Sequence, residues 1–195
     1  MANFKTRPIT MDEFKLINHT MRTGFVTNDG KTVRPNIPIA ALLTAQINLG
    51  LRVGDMCRLK LSDFVYEHGD WRLSIVEEKT KKVRNFIVPI EVYTYLQRYA
   101  LEQGRKPNDR LFPISVRAVQ NHLKITCEHL GIKDVSSHSY RKAYAVKIFQ
   151  DNDYNVELVR LLLNHSSIAV TQNYISVEPK VVRQALQKHI ILPEE

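Results

Sequence analysis

The sequence predicts a mainly α-helical domain with one small antiparallel β-sheet near its middle. Three observations predict this class. Apolar residues recur at helical spacing on both sides of the chain's centre, two short segments between them have the composition of strands, and Gly and Pro separate these segments. Because no internal repeat, low-complexity tract or linker interrupts the 195 residues, we predict one domain over residues 1–195.

The first third of the chain has the pattern of three helices. Thr10 followed by Glu13 is a capping-box pattern, which marks the start of the first helix. Residues 24–36 contain Gly, Asn, Asp and Pro and are predicted to form a turn or loop. A dense apolar run then predicts a buried helix that stops at Gly50. The predicted helices of this part are 10–23, 38–48 and 53–59.

The hydrophobic period then changes from that of a helix to that of a strand. Residues 71–76 and 83–88 are rich in β-branched and aromatic residues, which predicts two strands. The basic segment 77–82 between them is predicted to be the tip of a hairpin, and Pro89 ends the second strand. A loop is predicted at 104–109. The remaining predicted helices are 91–103, 115–129, 138–151, 155–163 and 179–189.

Basic residues exceed acidic ones along the chain. Lys and Arg total 28 against 20 acidic residues, which gives a formal net charge of +8. This balance favours an anionic partner, with nucleic acid first and an anionic membrane surface second. Cys57 and Cys127 lie in apolar stretches without a CxxC pair, so we predict buried thiols, a reducing compartment and no zinc site. No segment resembles a signal peptide or a transmembrane helix, and we expect a soluble, intracellular protein.

Two segments carry basic residues suited to phosphate, although each has an ordinary alternative. Arg52 lies between two predicted helices in an apolar setting. A partly buried guanidinium needs a partner, for which Asp55 or a phosphate would serve, whereas the alternative is a solvated surface arginine. Lys79, Lys81 and Lys82 lie in the predicted hairpin tip, where they form either a solvated charge run or a contact to a nearby phosphate.

Two further segments carry titratable groups. His138 and Arg141 are three residues apart, so a helix places them on one face. An imidazole can transfer a proton and a fixed positive charge can stabilise the anion when a phosphodiester reacts, so the pair suits that chemistry. The alternative is a surface histidine and arginine at the start of a helix. Tyr174 lies nine residues after His165. A lone tyrosine after a helix is usually a packing residue.

The order Arg, Lys, His-x-x-Arg, His, Tyr resembles the tyrosine recombinase family of phage integrases, transposon integrases and chromosome-dimer resolvases. The segment GLRVGDMCRLKLSDF is similar to the family's segment around its first catalytic arginine. HSYRKAYA resembles the His-x-x-Arg box, and LLNHSSIAVTQNYI resembles the final His-and-Tyr segment. The likeness extends from about residue 10 to 175 and implies the catalytic-domain fold of that family. Members commonly carry a separate helical core-binding domain ahead of it, and we expect none in this chain.

The resemblance implies a site-specific DNA recombinase, or integrase, that cleaves and rejoins DNA through a 3′-phosphotyrosine intermediate without metal, cofactor or ATP. Tyr174 would be the nucleophile, and Arg52 and Arg141 would hold the scissile phosphate. Lys79 would be the general acid for the leaving oxygen, and His138 would be a general acid/base. The origin would be a bacterium, a phage or another mobile element, and the location cytoplasmic.

The last two roles come with departures from the family pattern. His165 would hydrogen-bond the phosphate, and Asp55 would be a supporting carboxylate where the family usually has Glu. Asn164 stands where a Gly is usual, and Tyr140 where a Leu is common. None of these changes removes a reacting group, so we expect activity to survive.

The implied partner is double-stranded DNA, with a homotetramer assembled on it. The basic residues of predicted helix 115–129 either contact the DNA or form a solvated helix face. Residues 178–191 are predicted to form a basic helix, which in the family docks into a neighbouring protomer. Packing on its own domain is the alternative for this helix. The candidate DNA-contacting residues are Lys81, Lys82, Arg117 and Lys124.

Three other classes of protein remain open from the sequence. A metal-dependent nuclease needs clustered carboxylates, whereas Glu77-Glu78 and Asp151 with Asp153 belong to unrelated segments. A type IB topoisomerase uses a near-identical residue set, and the HxxR form with the nine-residue His-to-Tyr spacing favours a recombinase. A non-catalytic DNA-binding relative is the third class, although every expected catalytic position is filled.

Overall fold

The helices and strands follow the predicted change of hydrophobic period. In the computed structural model, which describes residues 6–172, 174, 175 and 183, helices precede and follow a small antiparallel sheet near the middle of the chain. This confirms the predicted class. The α-helices are α1 Met11–Thr23, α2 Ile37–Leu49, α3 Val53–Met56, α4 Ile90–Glu102, α5 Val116–His129, α6 Ser137–Asp151, α7 Val156–Leu162 and α8 Ile168–Gln172.

Side-chain caps explain where two of these helices begin. The Thr10 hydroxyl accepts a hydrogen bond from the Glu13 backbone N–H at 3.2 Å, and the Glu13 carboxylate accepts one from the Thr10 N–H at 3.0 Å. The predicted capping box is therefore present. The Ser136 hydroxyl accepts from the backbone N–H of His138 at 3.2 Å, which places His138 in the first turn of α6.

The main sheet has three antiparallel strands in the order β3-β4-β5, namely Phe64–Glu67, Asp70–Val76 and Val83–Val88. β4 and β5 are the predicted pair. β3 was not predicted because it has four residues, three of them exposed, and so lacks a clear alternation. Two short strands, β1 Phe25–Val26 and β2 Thr32–Val33, pair within the segment predicted as a loop.

Three helical segments differ from the prediction or lie outside the described residues. The predicted helix 53–59 is too long, since α3 ends at Met56. Beyond it the Arg58 N–H bonds to the Asp55 carbonyl at 3.1 Å, three residues back, so the backbone tightens into a turn. The five-residue helix α8 was not predicted. The predicted helix 179–189 and the docking of residues 178–191 lie outside the described residues, apart from Arg183.

Helix α2 forms the centre of the core and packs against α1, α4 and α6. It is apolar on nearly all sides, as predicted, and Leu42 and Leu43 are fully enclosed. Such leucines each contribute about 1.5–3 kcal/mol through burial. The helix ends at Gly50, whose φ of 60° is left-handed, and a Cβ there would lie 2.4 Å from the Tyr144 ring. The Leu49 and Gly50 carbonyls at this helix end are therefore free to accept hydrogen bonds from the site described next.

Among the described helices, none is long and apolar enough to cross a membrane.

Candidate active site

Five of the predicted site residues surround one region, where the ends of α2 and α7 meet the start of α6. Tyr174 is half-buried there, in the turn that follows α8. Its ring centroid lies 5.1 Å from that of His138 and 5.0 Å from that of His165, so the tyrosine lies beside both imidazoles. Arg141 and Arg52 complete the group, and their charges act on both histidines.

Arg141 is fully buried and tied to two helix ends. Its Nη1 donates to the Gly50 carbonyl at 2.5 Å, and its Nη2 donates to the Leu163 carbonyl at 2.8 Å. Burial lowers the pKa of Arg141, and the like charge of Arg52 adds to this effect, whereas a hydrogen bond with the Tyr174 side chain opposes it. The guanidinium is thus held in place before any ligand arrives.

The hydrogen bonds of His165 define its tautomer. Its Nε2 lies 3.2 Å from Arg141 Nη2. Because a guanidinium can only donate, Nε2 is the acceptor and Nδ1 carries the proton. Nδ1 then donates to the Thr171 hydroxyl at 3.0 Å. Thr171, six residues further along, was not singled out in the sequence, and no local pattern points to it.

Both histidines beside Tyr174 are neutral near pH 7. Burial lowers the pKa of His138 to about 4, with further lowering by Arg141 and other basic groups that include Lys79. Burial also lowers the pKa of His165 to about 4, and the charges of Arg141 and Arg52 add to this shift. A neutral imidazole can accept a proton, which is what a general base beside a phenol requires.

Asn164 explains one departure from the family pattern. Its φ is 54°, in the left-handed region where glycine is usual and asparagine is the best tolerated alternative. Its side-chain Nδ2 also donates to the Val83 carbonyl at 3.2 Å, where β5 begins. The asparagine therefore joins the segment that carries His165 to the hairpin.

Of the two partners considered for Arg52, Asp55 is not the residue that the structure places against it. Arg52 Nη1 lies 2.8 Å from Oε2 of Glu77, which is completely buried. Asp55 instead accepts from the Glu78 backbone N–H at 2.8 Å and from Arg58 at 2.8 Å. Asp55 thus holds the base of the hairpin and does not contact the Arg52 guanidinium. Glu77 could not be singled out from the sequence because it belongs to a charged run whose other charged side chains are exposed.

Lys79 occupies the predicted hairpin tip and is exposed. The loop is closed at its base, where the Glu77 N–H donates to the Lys82 carbonyl at 3.0 Å and the Lys81 N–H donates to the Glu77 carbonyl at 2.9 Å. Lys79 is near enough for its charge to contribute to the low pKa of His138. It is therefore at the edge of the site rather than inside it.

Arg84 is a second residue of this region that was not predicted from the sequence. It is 2% exposed and donates to the backbone carbonyls of Leu49 at 3.0 Å, Gly50 at 3.2 Å and Leu162 at 2.6 Å. Burial and neighbouring positive charge lower its pKa to about 10, so it stays charged near pH 7. Its place in β5 was a usable signal, since strand alternation puts it on the inward face with Phe86.

The four candidate DNA-contacting residues all lie on exposed surfaces. Lys81 and Lys82 lie between the turn of the hairpin and β5, and Arg117 and Lys124 share the solvent-facing side of α5. Lys124 lies 3.7 Å from Glu128. These residues do not line the tyrosine site. Within the described residues, no group of three His, Cys, Asp or Glu side chains could hold a metal ion.

The fold and the site together define a class of protein in which a tyrosine lies inside a preformed, positively charged cluster on a mainly helical domain. The chain belongs to the phage integrase family, whose model matches residues 7–180. The resemblance inferred from the order of the site residues is thereby confirmed.

Curated relatives support this membership. The chain is 29% identical over 154 residues to tyrosine recombinase XerA of Pyrococcus furiosus, covering 73% of the chain and 51% of that protein. It is 31% identical over 145 residues to tyrosine recombinase XerC of Xanthomonas axonopodis pv. citri, covering 71% and 46%. The probable integrase/recombinase YoeC of Bacillus subtilis is 28% identical, covering 71% and 77%. The chain therefore spans about half the length of the XerA and XerC relatives.

Solved structures share the fold at low sequence identity. The XerH site-specific recombinase, bound to palindromic difH substrate in a post-cleavage complex, matches with a TM-score of 0.70 at 17% identity. That match covers 92% of this chain and 52% of XerH. A lambda integrase dimer bound to a COC′ core site matches with a TM-score of 0.67, also at 17% identity, covering 92% and 53%.

Proposed function

We propose that this chain is the catalytic domain of a tyrosine-type site-specific recombinase, which cleaves and rejoins DNA through a 3′-phosphotyrosine intermediate. The observation that carries the proposal is the position of Tyr174 between the rings of His138 and His165, beside Arg141. The names of the relatives XerA and XerC, and the DNA in the XerH and lambda integrase complexes, support it.

Fixed positive charge accounts for most of the proposed catalysis. A phosphodiester is already anionic, and the pentavalent transition state carries further charge on its oxygens. Arg52 and Arg141 hold this phosphate. Because folding already orders both side chains, little conformational entropy is lost when the phosphate binds. Loss of one such donor typically costs about 100- to 1,000-fold in rate. Permanent guanidinium charges thereby take the part that metal ions play in many phosphoryl-transfer sites.

The proton transfers follow from the neutral state of the histidines. The Tyr174 oxygen attacks the scissile phosphorus, and His138 accepts the phenolic proton as the new O–P bond forms. The bond from phosphorus to the 5′ oxygen breaks, and Lys79 protonates that oxygen. The phosphotyrosine link retains the energy of the original ester, so rejoining by the reverse steps needs neither ATP nor a cofactor.

His165 has a role that requires a change of tautomer. Its Nε2 accepts from Arg141 in the arrangement described above. To donate to a phosphate oxygen, the proton must move from Nδ1 to Nε2, and the phosphate then takes the place of the Arg141 contact. Asp55 acts at a distance, by holding the Glu78 backbone at the base of the loop that carries Lys79.

Double-stranded DNA is the proposed partner, in a homotetramer assembled on the DNA and located in the cytoplasm. Lys81 and Lys82 contact it beside the cleaved strand, and Arg117 and Lys124 contact it from α5. Side chains on the exposed face of a helix can reach phosphates and base edges in a groove.

Covalent trapping tests the proposed function. The protein is incubated with nicked duplexes of varied sequence and denatured in SDS with EDTA, and DNA-linked peptides are mapped by mass spectrometry. We expect a phosphopeptide at Tyr174 that disappears in Tyr174→Phe while DNA binding persists. Tyr154→Phe is the matched control, because Tyr154 is an exposed tyrosine that packs on Phe149.

Three outcomes would replace the proposal by one of the rival classes. Cleavage that EDTA abolishes would indicate a metal-dependent nuclease. An adduct with relaxation of supercoils but no strand exchange between duplexes would indicate a type IB topoisomerase. DNA binding without any adduct would indicate a non-catalytic module.

A further inference from the structure

Arg52 differs from the other two arginines in how it is held. Arg84 and Arg141 are almost or fully buried and bound to backbone carbonyls. The Arg52 side chain is 21% exposed, and its ion pair is with the Glu77 carboxylate. A long, partly exposed arginine side chain loses much conformational entropy when it is ordered. A fixed partner is therefore needed to hold its guanidinium in one orientation.

Glu77 is itself rigidly placed. Its backbone closes the hairpin through hydrogen bonds in both directions, to Lys82 and from Lys81. Its side chain is completely enclosed, and the Thr80 hydroxyl donates to the same Oε2 that faces Arg52, at 2.7 Å. The carboxylate therefore has a position that does not depend on Arg52.

The carboxylate also faces more than one positive charge. Its Oε1 lies 3.9 Å from Arg84 Nη1. Burial opposes the charged form of Glu77, but the Thr80 hydroxyl, the Arg52 contact and the charge of Arg141 outweigh it and hold the pKa below its usual range. Glu77 is thus an anion among three guanidiniums near pH 7.

We infer that Glu77 is the positioning residue of Arg52, whose guanidinium it holds in the orientation that meets the scissile phosphate. The inference rests on the proposed function. Glu77 would act only through Arg52 and would not touch the DNA. A change of the carboxylate alters its contacts to Arg52, Thr80 and Arg84 but keeps the backbone hydrogen bonds that close the loop. An Arg52→Ala background then isolates the part of the effect that passes through Arg52.

The test compares Glu77→Gln with Glu78→Gln. Both variants remove one negative charge from adjacent residues of the same hairpin, and the Glu78 side chain is 57% exposed, 3.7 Å from Arg58. The rate of Tyr174 adduct formation is measured at saturating nicked DNA, and the dissociation constant for DNA is measured separately. We expect Glu77→Gln to slow adduct formation about 10- to 100-fold, the effect of a misplaced reacting group. DNA binding stays as tight as in the wild type, and Glu78→Gln stays within about threefold in rate.

A double-mutant cycle separates positioning from a general structural effect. In an Arg52→Ala background, Glu77→Gln should change the slow residual rate by less than about threefold, because the residue that it positions is gone. Glu77→Asp, which keeps the charge, should lie between the wild type and Glu77→Gln, and it serves if the Gln variant does not fold. An equal loss in the Arg52→Ala background, or a wild-type rate in Glu77→Gln, would overturn the inference. Absence of any wild-type adduct would instead overturn the proposed function, and the inference with it.

Discussion

Arg84 and Arg141 donate hydrogen bonds to the same backbone carbonyl, that of Gly50, at 3.2 Å and 2.5 Å. This carbonyl is at the end of α2, where unpaired carbonyls carry partial negative charge. Each arginine also binds the end of α7, Arg84 at the Leu162 carbonyl and Arg141 at the Leu163 carbonyl. Two helix ends thus stabilise two buried like charges, and this clamp joins α2, β5, α6 and α7 around the site.

Loss of Arg84 should destabilise the fold. Arg84→Met leaves the Leu49 and Leu162 carbonyls without this donor, whereas the Gly50 carbonyl keeps its bond from Arg141. An unsatisfied buried carbonyl costs about 1–3 kcal/mol before relaxation. We expect the free energy of unfolding, measured by urea denaturation, to fall by about 2–4 kcal/mol. Arg72→Met is the matched control, because Arg72 lies in β4 on the opposite face of the same sheet and bonds Asn85. It should change stability by less than about 0.5 kcal/mol. Equal losses in the two variants would contradict the clamp.

Stability should depend on pH through the two histidines beside Tyr174. Their pKa values are lowered from 6.5 to about 4 in the folded protein, so the unfolded chain binds more protons between these values. The stability that these two neutral histidines allow is fully present above pH 6.5, the pKa of histidine in the unfolded chain, and is lost as the pH falls toward 4. Each histidine adds a slope of at most about 1.4 kcal/mol per pH unit.

Denaturation at a series of pH values measures this slope. His138→Gln should make it shallower between about pH 6.5 and 4, the two pKa values of this histidine. His68→Asn, at an exposed turn, serves as the control and should keep the wild-type slope. An unchanged slope in His138→Gln would show that His138 is not held neutral by the fold.

Replacement of Asn164 by glycine should lower the free energy of unfolding less than replacement by alanine. At its φ of 54° an alanine is strained by roughly 1–2 kcal/mol, whereas glycine adopts this conformation freely. Both substitutions lose the hydrogen bond to the Val83 carbonyl. Asn164→Ala should therefore be less stable than Asn164→Gly in a urea titration. Equal stability would mean that the left-handed conformation is not required before His165.

The α5 surface should contribute to the salt dependence of DNA binding. If Lys124 neutralises one phosphate, Lys124→Ala should reduce the slope of log K against log salt by about 0.9. The same holds for Arg117→Ala. Arg98→Ala on α4 is the control, because Arg98 faces Glu102 four residues on, as Lys124 faces Glu128. Fluorescence anisotropy at several salt concentrations measures the slopes, and identical slopes in Lys124→Ala and Arg98→Ala would remove α5 from the proposed interface.

Several features of this protein could be predicted from the sequence because they depend on local spacing. The capping box at Thr10 and Glu13, the strands on either side of the basic hairpin and the shared face of His138 and Arg141 all follow from neighbours within a few residues. The order of the site residues was enough to indicate the family, since order along the chain needs no knowledge of contacts.

Only the tertiary structure decided which groups hold the site together. Asp55 is three residues from Arg52 and was one candidate for its partner, yet the contact is with Glu77, which lies far along the chain at the start of the hairpin loop. Arg84 is buried because the pairing register of β5 directs it inward, where the ends of α2 and α7 supply acceptors. Charges inside a protein are governed by the low-dielectric surroundings and the donors and acceptors that packing brings together. Those neighbours are distant along the chain, so residue spacing alone does not reveal them.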